Sequence, residues 1–131
     1  MRVRLNSVGV DDQAKAVKFY TETLGFVVKI DIPAGGARWV TVVPADEPDG
    51  PELLLEPTGM DFAKTYRQAL YEKNIPYTML ASDNVQEEYE KLKAKGVVFK
   101  GEPQKTPGGP MIAIFDDTCG NYIVMYEIEK K

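Results

Sequence analysis

Few residues in this chain are equipped for chemistry, and the most informative type is missing. Among 131 residues there is no histidine. No imidazole is available as a base near neutral pH or as a metal ligand. Ser7 therefore has no partner for a serine–histidine relay. The single cysteine, Cys119, lies in Asp116-Asp117-Thr118-Cys119-Gly120-Asn121. Neighbouring carboxylates disfavour a thiolate there and no base stands by to activate it, so it reads as a turn residue. Asp11-Asp12 precedes a helical stretch and reads as a helix cap rather than an acid–base pair. Gly35-Gly36 and Gly108-Gly109 adjoin prolines and open no helix, which makes them turns and not phosphate loops. The groups left to consider are the carboxylates of Glu52, Glu56 and Glu127 and the only tryptophan, Trp39.

These residues must be held by strands and helices that the sequence pattern marks out. Arg2–Val10 alternates and reads as a strand. Asp11-Asp12 caps a helix through about Leu24, which Gly25 ends. Strands follow over Phe26–Ile32, Arg38–Val43 and Glu52–Glu56. Phe62, Tyr66, Ala69 and Leu70 mark an amphipathic bridging helix within 58–75. The plan then repeats. Tyr77–Ser82 is a strand, and Asp83-Asn84 caps a helix with Val85, Tyr89 and Leu92 on one side, ended by Gly96. Val97–Lys100 mirrors Phe26–Lys29. Met111–Phe115 is a strand, and the Gly120-Asn121 turn, with positive φ expected at that pair, feeds the strand Tyr122–Glu127. Gly25 and Gly96, Leu53 and Val124, and Glu56 and Glu127 are each 71 residues apart, while Leu5 and Tyr77, and Asp11 and Asp83, are 72 apart. Two tandem βαβββ modules, 1–57 and 76–131, explain those offsets. The fold class expected is α+β, its two sheets forming a curved mixed sheet around a cup.

Composition sets the outer limits. Net charge is −4 with 27% charged residues, which argues against a nucleic-acid partner. The basic run Lys91–Lys95 follows Glu87, Glu88 and Glu90 on one helix and reads as a solvated face. No apolar run is long enough to span a membrane. Met1–Asn6 lacks the apolar core of a secretory leader, and a cytoplasmic location is expected.

The motifs resemble one family. Val10-Asp11-Asp12 leads to Phe19-Tyr20-Thr21-Glu22-Thr23-Leu24-Gly25-Phe26, similar to the "FYxxxLGF" pattern of the vicinal oxygen chelate (glyoxalase, bleomycin-resistance and extradiol dioxygenase) superfamily. Tyr89–Val97 and Phe115–Asn121 are similar to its second-half pattern, the latter to its "FxDPDGN" turn. The resemblance implies a cup-shaped site. In the family's enzymes a divalent metal is held by one residue from the first and one from the last strand of each module. Those positions here are Leu5, Leu53, Tyr77 and Val124. Aliphatic side chains donate no lone pair, and a free phenol, titrating near ~10, is a poor ligand at neutral pH. No metal or other cofactor is expected, and whether the protein is an enzyme stays open.

With the family's alignment, strand parity assigns the cup lining. It comprises Leu5, Ser7 and Gly9, then Leu53 and Leu55, then Tyr77, Met79 and Ala81, and finally Tyr122, Val124 and Tyr126. Trp39, Thr41, Ala113 and Phe115 are assigned to it as well. Glu56 and Glu127 are expected at strand ends, facing inward only if the register slips by one. The candidate ligand-binding residues are Trp39, Ser7, Leu53, Leu55, Tyr77, Met79, Val124 and Tyr126. The expected function is binding of a small aromatic or cationic molecule, for sequestration or sensing, by a homodimer. The rivals are a metal-dependent lyase or dioxygenase using a relocated carboxylate site near Glu52, Glu56 or Glu127, and an oligomerising scaffold whose cup is filled by its own side chains.

Overall fold

The computed structural model describes residues 1–129. The elements are β1 (Leu5–Val10), α1 (Gln13–Lys18), a π-helical turn (Phe19–Thr23), β2 (Phe26–Ala34), β3 (Ala37–Pro44), β4 (Glu52–Pro57), α2 (Asp61–Glu72), β5 (Thr78–Ser82), α3 (Val85–Ala94), β6 (Gln104–Lys105), β7 (Met111–Asp116) and β8 (Tyr122–Glu127). The chain divides into two compact units, Met1–Gln68 and Ala69 onward. The first holds a sheet in the order β1-β4-β3-β2 and the second a sheet in the order β5-β8-β7-β6. In each, the first pair is parallel and the others antiparallel. The architecture is α+β, with two four-stranded mixed sheets. Among the described residues, no helix is long and apolar enough to cross a membrane.

Local chemistry sets the helix ends. Asp12 is in extended conformation and its Oδ1 accepts from Lys15 N–H at 3.0 Å. Asn84 does the same for Glu87 N–H, also at 3.0 Å. Each cap satisfies an amide that the helix cannot. Gly25 and Gly96 sit at φ +86 and +93 just past the helical stretches, where a Cβ would be strained. The first helical stretch does not stay α to its end. Its last turn widens to π geometry, and the sequence neighbours Phe19 and Tyr20 are both buried there, their rings edge to face at 5.6 Å.

Helices α1 and α3 each cover one face of their own sheet, here termed the back. In the first unit Val8, Val10, Ala16, Tyr20, Val40, Val42 and Leu55 are fully buried. Burying a side chain of this kind contributes about 1.5–3 kcal/mol. In the second unit Val85, Tyr89 and Leu92 of α3 are buried, as are Ala113, Phe115, Ile123 and Met125. A chain of edge-to-face rings, Tyr89–Phe99 at 4.6 Å and Phe99–Phe115 at 5.8 Å, joins α3 to β7. The mirror of β2 is much reduced here. Phe99 forms an isolated bridge to Phe115, and β6 has two residues.

The turn into β8 is built around a buried carboxylate. Asp117 Oδ1 accepts from Cys119 N–H at 2.7 Å and Asn121 N–H at 3.0 Å, and Oδ2 accepts from Asn121 Nδ2 at 3.0 Å. Positive φ falls on Gly120 of the Gly-Asn pair, as expected, and also on Thr118. The asparagine closes the loop through its side chain.

Candidate functional site

The face of each sheet away from its helix, here termed the front, carries the candidate residues, and register decides which ones. Bridged partners point to the same side of a sheet, and a one-residue shift exchanges the faces. In the first unit Leu5 pairs with Glu52, Ser7 with Leu54 and Gly9 with Glu56. Thr41 pairs with Leu54 and Ile30, and Trp39 pairs with Ile32. The front of this sheet is therefore three rows. One is Leu5, Glu52 and Val43. The next is Ser7, Leu54, Thr41 and Ile30. The third is two pairs, Gly9 with Glu56 and Trp39 with Ile32, on the same face beyond the last paired positions of β3 and β4.

This corrects the expected lining. Leu53 and Leu55 lie on the back with Val8 and Val10, under α1, and Leu55 is fully buried. Glu52, Leu54 and Glu56 take the front. The cause is the alignment of the repeat: the glutamate pair Glu56/Glu127 is separated by 71 residues, but β4 and β8 correspond at 70. Ser7 stands two beyond Leu5 and pairs with Leu54, and Met79 stands two beyond Tyr77 and pairs with Val124, so Leu54 is the counterpart of Val124. Gly50 and Gly120 are also 70 apart (120 − 50), and counting from them would have given the right face.

In the second unit Tyr77 N–H donates to Tyr122 O at 2.8 Å, continuing the register of Thr78 with Ile123. Tyr77, Met79 and Ala81 thus share the front with Tyr122, Val124 and Tyr126. From β7 the front receives Ile112, Ile114 and Asp116. Ala113 and Phe115, expected in the lining, are on the back against α3, because β7 has the opposite parity to the one assumed.

Exposure differs sharply among these residues. Trp39 keeps 39% of its surface, its cross-strand neighbour Ile32 54%, and Met79 53%, while Val124 keeps 8%. Thr41 is buried and donates to Glu52 Oε1 at 2.6 Å. Glu127 shares the back with Ser82, and its Oε1 accepts from Val85 N–H at 2.9 Å, so it caps α3. Glu56 is exposed. Among the described residues its carboxylate has no hydrogen-bond or ion-pair partner.

Two features had no sequence signal. The Gln13 side chain spans β3 and β4. Its Oε1 accepts from Arg38 N–H at 3.0 Å, and its Nε2 donates to Arg38 O at 2.6 Å and Leu55 O at 2.8 Å. The second is Tyr71, from the last turn of α2. Its ring lies flat on Tyr122, with centroids 4.5 Å apart and planes 5° apart, and its hydroxyl donates to Asp116 Oδ2 at 2.5 Å. That hydrogen bond, with the adjacent Tyr122 phenol and burial adding to it, pushes the Tyr71 phenol well above its ordinary range. The Lys100 ammonium, bonded to Asn74 Oδ1, stands 4.1 Å from the Tyr122 centroid.

The sheet plan matches known proteins. The family model for the Glyoxalase/Bleomycin resistance protein/Dioxygenase superfamily fits residues 4–125, and the chain belongs to that superfamily. It is 48% identical over 123 residues to the uncharacterized protein YurT of Bacillus subtilis (strain 168), covering 94% of this chain and 96% of that protein. The crystal structure of UcmS2 superposes with a TM-score of 0.82 at 35% identity, over 96% of this chain and 97% of that one. TnmS3, an antibiotic binding protein from Streptomyces sp. CB03234, superposes with a TM-score of 0.73 at 29% identity, over 98% and 97%.

Proposed function

We propose that this protein binds a small organic molecule on the front faces of its sheets, an aromatic and cationic compound by preference, and sequesters or senses it without turnover. The observation that carries this reading is the set of side chains at the family's metal-holding positions. With the register corrected they are Leu5, Leu54, Tyr77 and Val124. Three are aliphatic and the fourth is a phenol, which does not fit a divalent cation. Relocated carboxylates do not replace them. Glu52 and Glu56 are four residues apart on one strand, about 13 Å at the usual rise per residue, and Glu127 is on the other face capping α3. Among the described residues no three carboxylates or thiols stand together as a donor set for a metal-dependent lyase or dioxygenase step. The half-exposed Trp39 adds a ring on which a planar or cationic ligand can stack. Likeness to TnmS3, an antibiotic binding protein, supports a small-molecule ligand.

Trp39 is the only tryptophan, so its fluorescence reports this face alone. Titration with a panel of planar aromatic cations is expected to give saturable quenching. No response from any member would sink the reading. So would a stoichiometric metal in protein purified without chelator, if Glu52→Gln or Glu56→Gln removes it. We further propose a homodimer, testable by light scattering across a dilution series.

A further inference from the structure

We infer that Trp39 and Glu56 form a two-part recognition element for an organic cation, the indole supplying the stacking surface and the carboxylate the counter-charge, with Gln13 setting their spacing. The inference rests on the ligand-binding reading above and names the residue that selects by charge.

Four observations carry it. The first is placement. Trp39 and Glu56 lie two residues beyond the last paired positions, Thr41 and Leu54, and parity puts both on the front face of adjacent strands. The second is availability. Of the three glutamates in or beside the candidate site, Glu52 is held by Thr41 and Glu127 by Val85 N–H. Glu56 alone is uncommitted among the described residues, although it lies beside a half-exposed indole. The third is the neighbour on the other side. Glu56 pairs there with Gly9, which is buried and has no side chain that could neutralise the carboxylate. The fourth is rigidity. Gln13 ties the backbone of Arg38, next to Trp39, to that of Leu55, next to Glu56, with contacts of 2.6–3.0 Å. The two strands cannot separate further without breaking those bonds, which hold in place the backbone positions that carry the ring and the charge. An aromatic face and a carboxylate side by side attract a cation more than either does alone, and reject an anion.

The test compares two probes of the same shape, N-methylquinolinium and neutral 1-methylnaphthalene, by quenching of Trp39 in wild type, Glu56→Gln and Asp46→Asn. Asp46 is exposed in the loop at the opposite end of β4, and its variant changes net charge by the same amount. Wild type and Asp46→Asn are expected to favour the cation by roughly tenfold, a preference that weakens as salt is raised. Glu56→Gln should bring the two probes to near parity and lose the salt dependence, with neutral-probe affinity unchanged. If both probes bind and Glu56→Gln leaves their ratio alone, the inference fails while the binding reading survives. Loss of the preference in Asp46→Asn as well would assign it to net charge and also overturn the inference. If neither probe quenches, both fall.

Discussion

Position for position, Gly9, Glu56 and Trp39 in the first unit stand where Ala81, Tyr126 and Ile112 stand in the second. Leu5, Glu52 and Val43 stand where Tyr77, Tyr122 and Asp116 do. The backs of the two sheets are alike, each a mainly apolar layer under its helix. The fronts are not. The first unit shows two carboxylates flanking Leu54 and a half-exposed indole. The second shows two tyrosines flanking Val124, and one of them is covered by Tyr71 and by Lys100. A repeat can vary only where packing does not forbid it. Removing a methylene from the back costs stability at once. A front residue can change character while the sheet persists, and there the two halves have taken different chemistries.

The largest expected effect tests the likeness of the backs. Leu55→Ala and its counterpart Met125→Ala (55 + 70) should each lose about 2–5 kcal/mol in urea unfolding. A loss confined to one of them would break the equivalence of the two cores. Next comes a device that only the first unit has. Gln13→Ala removes three hydrogen bonds bridging β3 and β4 and should cost about 1–3 kcal/mol, because buried backbone groups lose their partners. Its counterpart by the 72-residue offset is Val85, where the tie runs the other way, from the helix amide to Glu127.

The smallest effect sharpens the contrast between the fronts. Tyr71→Phe keeps the ring stack and removes the bond to Asp116, for roughly 0.5–1.5 kcal/mol. The sign of its pH dependence is fixed. The folded-state phenol is raised above its unfolded value, so its stabilisation is complete below about pH 10, the free phenol's range, and is lost as pH climbs further. Phenolate absorbance should show one of the seven tyrosines ionising late in wild type, and that late step should vanish in Tyr71→Phe.

Much of this fold was legible because its signals are local and were duplicated. Asp12 and Asn84 cap, Gly25 and Gly96 stop, and the second appearance of the plan confirmed the first. The site was harder, since a sheet face depends on register to one residue. Trp39, Thr41 and Ser7 were placed on the right face by parity within their own strands. Leu53 and Leu55 were misplaced because two glutamates that look alike, Glu56 and Glu127, are not equivalent, while the less conspicuous Gly50 and Gly120 are. Gln13 and Tyr71 gave no signal. Their roles depend on backbone atoms and rings distant in sequence, and neither residue type announces such a contact.

The closed loop before β8 has a consequence for reactivity over time. Cys119 is fully buried in it, between amides that Asp117 holds. Oxidants and soft metals reach that sulfur only when the loop opens, so its chemistry runs at the frequency of a local unfolding event and not at that of a free thiol. With no second cysteine in the chain, the sulfur acts as a clock for the one turn it sits in.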